Sequence, residues 1–422
     1  MKLEELKLKI LLIGNGGREH AIAWKLSQSP LVNTIYCAPG NGGTEIESKC
    51  ININLTKNEE LLKFSLENNI DFTFVGPEVP LVEGIVDAFK SKGLKIFGPG
   101  IAGARLEGSK AYSKEFMKKY GVKTAAYENF DDMPKAIEYI KSAIYPLVIK
   151  ADGLAAGKGV VICLNFKEAE TTIRSFMEKD IFRGAGKQVV IEEYLKGVEA
   201  SLLCITDGEV ILPFLSAKDH KRIFDGDKGP NTGGMGAISP NPYCDAATLY
   251  EIKEHIIKPT LIGIKEEKID FVGIIFLGVM INKDGVYLLE YNVRMGDPET
   301  QAILPLMEND LAELILCALN KKLSTIKMKW STKKCCCIVA TSEGYPGGYK
   351  KGYNIKGLKS MDNKVFFAGS KYENGKLETC GGRVLSVVAL GETMEEAREK
   401  AYLSMKKIEF KGIYYRKDIG KI

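Results

Sequence analysis

The sequence predicts an α/β protein of several units: a Rossmann-like parallel-sheet domain, then a larger α+β unit, then a smaller α+β unit. Three observations predict it. Between residues 8 and 97, four apolar runs each stop at a glycine turn and alternate with helical stretches, the pattern of a parallel sheet with crossover helices. Between Pro146 and Cys163, two β-branched runs enclose a loop of three glycines framed by two lysines. Near residue 285 an apolar hairpin returns through Glu290-Tyr291-Asn292, two oxygen-bearing side chains at the spacing that shares one face of a strand.

Composition narrows the classes. The chain has 422 residues, enough for roughly two to four domains, and its 45% hydrophobic and 27% charged content is ordinary for a globular protein. A net charge of +5 with no dense Lys/Arg block gives no support to a nucleic-acid partner. Of ten cysteines, Cys37, Cys163, Cys204 and Cys317 sit in apolar runs and Cys335, Cys336 and Cys337 are adjacent. That spacing suits buried free thiols in a reducing compartment better than disulfides or a metal cluster. The opening MKLEELKLKILLIGNGG has too short an apolar core for a signal peptide, and no run approaches the length that spans a bilayer. A cytoplasmic protein with no membrane partner, acting as a monomer, is expected.

Taken in order, residues 8 to 13 (LKILLI) read as a strand, Gly14-Asn15-Gly16-Gly17 as a turn, and Arg18 to Ser27 as a helix. Such a junction points backbone N–H groups and the positive end of a helix dipole at an anion. The place of the third glycine in the dinucleotide fingerprint is taken by Glu19, which argues against an oxidoreductase. Thr34 to Cys37 leads into Gly40-Asn41-Gly42-Gly43, and Thr56 with Glu59 predicts a capping box for a helix to about Asn68. Phe72 to Val75 ends at Gly76-Pro77-Glu78, and Leu94 to Phe97 at Gly98-Pro99-Gly100. Ligands of parallel sheets bind at the carboxyl ends of the strands. Asn15 to Gly17, Gly40 to Gly43 and Gly76 to Glu78 are therefore expected to line one crevice.

SKAYSKEFMKKY (109 to 120) reads as a helix with Lys110, Lys114 and Lys118 in a stripe. Such stripes are ordinarily solvated, but Lys110, at the helix start after Gly108, is placed where it could instead reach a phosphate. In the glycine loop, Gly153, Gly157 and Gly159 lie between Lys150 and Lys158, a composition that cradles phosphate through bare backbone N–H groups and point charges. It is not a P-loop, because only three residues separate Gly153 from Gly157, Gly159 follows Lys158, and the chain returns into a strand. The reading is a flap over nucleotide phosphates; a plain tight turn is the alternative.

VVIEEYL (189 to 195) reads as a strand whose residues Glu192, Glu193, Tyr194 and Leu195 offer a backbone edge to an adenine ring. Glu199, at the start of the next strand, either accepts from ribose hydroxyls or is a surface acid. Lys218-Asp219-His220-Lys221-Arg222 and Gly229 to Gly236 form a polar glycine-dense loop of about twenty residues, a length that points to function. After the strand Gly273 to Ile281 and a turn at Lys283-Asp284-Gly285, the return strand places Glu290 and Asn292 on one face, joined by Arg294 if the strand continues. Oxygen ligands of this kind suit Mg²⁺ shared with phosphates. The apolar run Val286 to Leu289 implies a buried strand, where an unpaired Glu290 is costly. Residues 331 to 422 carry further strands and a helix capped by Thr393 and Glu396, read as a packing and substrate-covering unit.

LLIGNGGREHAIAWKL, APGNGGT, VGPEVPLVEG, FGPG, GSKAYSKEFM, VIKADGLAAGKGV, IEEYLKGVEAS, KDHKR, GPNTGGMGA, EYNVRMGDPETQ and GGRVL stand in this order along nearly the whole chain. In these motifs and their spacing the sequence resembles the glycinamide ribonucleotide synthetase family, the phosphoribosylamine–glycine ligases of the ATP-grasp superfamily. The resemblance implies a Rossmann-like substrate domain over 1–108, an ATP-grasp domain over 109–328 with a mobile lid at about 126–188, and a C-terminal domain over 329–422. It implies that ATP phosphorylates the carboxylate of glycine and that the amine of 5-phosphoribosylamine then attacks the acyl phosphate, a step of purine biosynthesis. By the same resemblance Lys110, Lys150 and Lys158, with Gly157 and Gly159, contact ATP phosphates, Glu192 to Leu195 the adenine and Glu199 the ribose. Glu290 and Asn292 bind Mg²⁺ or Mn²⁺. Arg294 and Asp219 hold glycine and the transferred phosphoryl group, these two and Lys158 being catalytic, and Lys221 also binds substrate. Asn15, Gly16, Gly17, Gly40, Asn41 and Glu78 hold phosphoribosylamine. The family's frequent Cys-Arg-Phe is Val293-Arg294-Met295 here, with the arginine kept. Two other readings stand beside it: a relative acting on another acid, opposed by KDHKR and GPNTGGMGA, and a nucleotide sensor without turnover, opposed by the metal pair.

Overall fold

The structure is a computed structural model that describes residues 7–155, 158–179, 181–182 and 184–421. Its first unit is a five-stranded parallel sheet in the order Cys50–Asn52, Val32–Pro39, Leu8–Gly14, Phe72–Val75, Ile96–Phe97. Both faces are covered, so the first strand is apolar throughout: Ile10 and Leu12 pack with Ile22 and Leu26 of the helix Gly17–Ser27, while Leu11 and Ile13 pack with Leu61, Leu81 and Phe89 on the other side. The strand order reverses at Leu8–Gly14, which opens the ligand crevice of such sheets beyond Gly14. Gly14 itself has φ +124, and a Cβ there would lie 2.5 Å from Glu19 Cγ. Glu19, standing where a dinucleotide site has glycine, instead accepts the Gly16 N–H at 2.6 Å.

The expected capping box at Thr56 is not formed. The helix runs Asn58–Glu67 with Lys57 at its N-cap and no side-chain cap. Glu59 and Glu60 in its first turn supply the favourable charge at the helix dipole.

The central and terminal units share one antiparallel sheet. Its path is Gly285–Asn292, Gly273–Asn282, Val198–Thr206, Ile211–Asp219, Gly236–Ser239, Lys334–Ser342, Arg383–Gly391, Lys364–Phe367. Gly236–Ser239 joins the two halves, pairing Gly236 with Ile338 and Ser239 with Cys335. The three adjacent cysteines are thus buried strand residues with free thiols. The loop expected between Lys218 and Gly236 is not structureless, since Arg222–Phe224 and Lys228–Asn231 form a small hairpin. Fully buried Arg416 holds it, donating to the Arg222 carbonyl at 3.0 Å and to Asp227 at 2.7 Å, and Gly226 N–H donates to Asp418 at 2.8 Å.

The stretch expected to form a lid, together with Val189–Glu193 beyond its expected end, is a separate four-stranded antiparallel sheet, Tyr127–Phe130, Val189–Glu193, Leu147–Ala151, Val160–Cys163, backed by helices Met133–Lys141 and Phe166–Met177. Ile140, Ile149, Ile173, Phe176 and Ile191 form a core of its own. Among the described residues no helix is long and apolar enough to cross a membrane.

Candidate active site

The glycine hairpin springs from the lid strand Leu147–Ala151, and its first residue ties it to the body. Asp152 accepts Ser109 Oγ at 2.9 Å and Ala111 N–H at 2.7 Å through its carboxylate, and Lys110 N–H at 2.9 Å through its carbonyl. The root of the hairpin is thereby fixed to the N-terminus of the helix Lys110–Tyr120. The loop recloses where Ala151 N–H donates to the Gly159 carbonyl at 2.8 Å, and Lys158, beside that closure, is exposed. Gly157 lies outside the described residues.

Across from this root stands the strand Gly285–Asn292. Strict alternation would put Glu290 on the face of Val286 and Leu288, which is core. A bulge prevents it: Gly278 pairs with Glu290 but the next residue, Val279, pairs with Leu288, so Leu289 is extra. The bulge rotates the strand beyond it. Tyr291 and Val293 turn into the core, while Glu290 meets Lys110 Nζ at 3.2 Å and Asn292 Oδ1 meets Arg294 Nη2 at 3.3 Å. Burial alone would raise the Glu290 carboxyl, but Lys110, Lys221 and Lys150 together hold it well below the usual carboxylate range. Glu290 and Asn292 present two oxygens, and no group of three or more His, Cys, Asp or Glu able to hold a metal occurs among the described residues. A donor set this small fits Mg²⁺, which takes most of its shell from phosphates and water.

Arg294 links this strand to the crevice of the first unit. It contacts Glu78 at 3.2 Å and Glu107 at 2.9 Å, and Glu107 also accepts Val293 N–H at 2.7 Å. Burial opposes its charge, and the two carboxylates outweigh that and raise its pKa further. Glu107 carries no sequence signal, being one acid in a short helix. Lys114, expected on a solvated stripe, is only 2% exposed, with its ammonium 3.1 Å from Glu192, whose other oxygen is 2.8 Å from Lys150. Burial pulls Lys114 down to about 8 against the pull of Glu192. The Glu192 side chain is thus a counter-ion, and past it Glu193 accepts Ala126 N–H at 2.8 Å while Tyr194 and Leu195 lie just beyond the end of the strand.

Glu199 is exposed and paired with Lys221 at 2.7 Å. Asp219 Oδ1 is buried with no hydrogen-bond partner. Burial pushes this carboxyl well up and Glu299 adds to it, with Lys221 and Arg383 opposing. Gly234, at φ +109, has to be glycine, because a Cβ would lie 2.7 Å from that oxygen and 2.3 Å from Pro298.

The crevice is a cavity of about 500 Å³ between the first unit and the C-terminal strands. Asn15, Gly16, Gly40 and Asn41 line it as expected, facing Ser370, Lys371 and Arg383. Gly17 and Glu78 do not line it: Gly17 is packed against Gln301, and Glu78 is taken up by Arg294. Asn41 is its keystone, donating to the carbonyls of Asn15, Gly16 and Phe367 and accepting from Gly43 N–H and Thr44 N–H. No sequence signal singles out Ser370 or Lys371, and Arg383 stands out only as part of GGRVL.

Residues 8–107, 108–300 and 335–422 match the models of the phosphoribosylglycinamide synthetase N domain, ATP-grasp (A) domain and C domain. The phosphoribosylamine–glycine ligase of Clostridium acetobutylicum is 63% identical over 414 residues, covering 98% of this chain and all of that one. The crystal structure of the Thermotoga maritima phosphoribosylamine–glycine ligase superposes with a TM-score of 0.86 at 36% identity, covering 98% of this chain and 100% of that one. A biotin carboxylase domain of Hydrogenobacter thermophilus 2-oxoglutarate carboxylase shares the fold at a TM-score of 0.74 and 15% identity, over 97% of this chain and 92% of that one. The chain belongs to the phosphoribosylglycinamide synthetase family, the ATP-grasp ligases that join phosphoribosylamine to glycine.

Proposed function

We propose that this carbon–nitrogen ligase works through a glycyl phosphate, formed where the glycine hairpin and the Glu290 strand meet. A carboxylate is a poor electrophile. A glycine carboxylate oxygen attacks the γ-phosphorus of ATP, the new O–P bond forms as the bond to the β-phosphate oxygen breaks, and ADP leaves. The amine of 5-phosphoribosylamine then attacks the acyl carbon; the C–N bond forms, phosphate departs and the nitrogen loses a proton. Such transfers depend on positioning and charge neutralisation more than on an acid/base pair.

The side chains divide accordingly. Lys110, Lys150 and Lys158 bind the ATP phosphates together with Gly159, and Gly157 is assigned to the same role from the sequence alone; Glu192 to Leu195 offer their backbone edge to adenine, and Glu199 takes the ribose in place of Lys221. Glu290 and Asn292 would hold Mg²⁺ or Mn²⁺, which when bound neutralises phosphate charge. The unpartnered Asp219 oxygen faces the glycine ammonium, which supplies it with a partner. Arg294 orients the glycine carboxylate and the transferred phosphoryl group. Asn15, Gly16, Gly40 and Asn41 take phosphoribosylamine against Ser370 and Lys371.

The observation that carries this reading is the double engagement of Lys110, through its ammonium with Glu290 and through its backbone with the hairpin root at Asp152. Glycine labelled with ¹⁸O in its carboxylate tests it. One labelled oxygen is expected in the released inorganic phosphate, and phosphate free of label would overturn the intermediate.

A further inference from the structure

Lys114 has no part in the reaction above, yet it stands where lid and body join. Its side chain and that of Glu192 are each 2% exposed, and that of Lys150 is 7% exposed. Glu192 lies between the two ammonium groups, at 3.1 Å from Lys114 and 2.8 Å from Lys150. The nearby acid Glu290 is already engaged by Lys110. One carboxylate between two cations in a dry site leaves a positive charge in excess.

The two lysines are anchored differently. Lys114 donates at 2.7 Å to Thr124 Oγ1, which donates at 2.6 Å to the Leu288 carbonyl, so it is fixed to the body of the molecule. Lys150 sits on the lid strand beside the hairpin and touches the body through the Leu289 carbonyl at 3.1 Å. A phosphate that draws Lys150 away takes a cation from Glu192. Were Lys150 the only partner, that step would strand a buried carboxylate, which is costly. With Lys114 in place the carboxylate stays paired.

We propose that Lys114 is a positioning residue for nucleotide binding: it keeps Glu192 paired, so that Lys150 is free to move to an incoming phosphate. The inference rests on the reading of Lys150 as a phosphate contact.

ATP binding to the full chain by calorimetry, with KM values for ATP and glycine, tests it on five proteins: native, Lys114→Met, Glu192→Gln, the double variant, and Lys150→Met. Lys114→Met should weaken ATP about tenfold or more, with the glycine KM moving less than about twofold. In the double variant the neutral amide no longer retains Lys150, and ATP affinity should return to within about threefold of native. Glu192→Gln alone should bind ATP at least as tightly as native, which keeps the test open if Lys114→Met does not fold. A double variant no tighter than Lys114→Met, or a Glu192→Gln variant weakened about tenfold, would overturn the inference. Lys150→Met separates the failures: unchanged ATP affinity there sinks the phosphate contact itself, whereas weakened affinity without recovery in the double variant sinks only the role of Lys114.

Discussion

Lys110 and Glu290 meet at 3.2 Å, and this pair joins the two halves of the phosphate site. Lys110 begins a helix whose N-terminus is bonded to the root of the glycine hairpin, and Glu290 owes its direction to a bulge in the strand opposite. Lysine and carboxylate are each other's partners here; on the proposed function a triphosphate and its cation would come between them.

Replacing Glu290 by Ala removes a proposed metal donor and the counter-charge of three lysines. Turnover should fall by at least about 10²-fold, while ATP affinity drops only modestly, since the freed lysines still attract phosphate. Steady-state rates across a Mg²⁺ titration check this, and a full rate at limiting Mg²⁺ would contradict the metal assignment.

Lys158 is exposed, so Lys158→Ala should leave the melting temperature within about 1 °C of native. The ATP KM should rise about tenfold, as expected for one charge-assisted contact. An unchanged ATP KM would place the loop away from the phosphates.

Asn41→Ala leaves three carbonyls and two N–H groups at the crevice without their side-chain partner. The expected loss is about 2–4 kcal/mol of stability, with a raised KM for phosphoribosylamine and an unaltered KM for ATP. Chemical denaturation and substrate titration read the two effects separately.

Glu47 ties the first unit to the C-terminal strands, 2.6 Å from Lys364 and 3.4 Å from His20 Nε2. Burial would raise its carboxyl, but His20 and Lys364 lower it from 4.5 to about 2. A depressed folded-state pKa gives stability that is present above pH 4.5 and is lost as pH falls toward 2. Glu47→Gln should cost about 1–2 kcal/mol at pH 7 after allowance for solvent screening. Melting curves of the two proteins should converge across that acid range, and a difference that persists at pH 2 would exclude the ion pair as its source.

Much of the fold was legible because its signals are local. Four of the five parallel strands run into a glycine turn, whereas the short edge strand Cys50–Asn52 has neither an apolar run nor a following glycine and left no signal; the antiparallel hairpin turns at Asp284-Gly285. Glu290 and Asn292 were legible as a pair, but the bulge that aims them is a register event between two strands and leaves no mark at a single position. Thr56 misled because a capping pattern describes one turn, whereas the start of that helix is set by how its apolar face packs. The hairpin at 222–231 is held by Arg416 and Asp418, nearly two hundred residues on. Glu107 meets Arg294 across the central unit, Ser370 accepts the Gly42 N–H of the first unit, and Lys114 meets Glu192 on the separate four-stranded sheet. Lys114 shows the limit best, since its spacing on the helix is that of a solvated stripe and only the lid strand above it makes the position dry.

The most direct measurement is a crystal structure with a non-hydrolysable ATP analogue and Mg²⁺. One triphosphate should lie with Lys110, Lys150 and Lys158 on one side and Glu290 and Asn292, through the cation, on the other. A nucleotide bound with the 153–159 turn folded away from Glu290 would contradict the account.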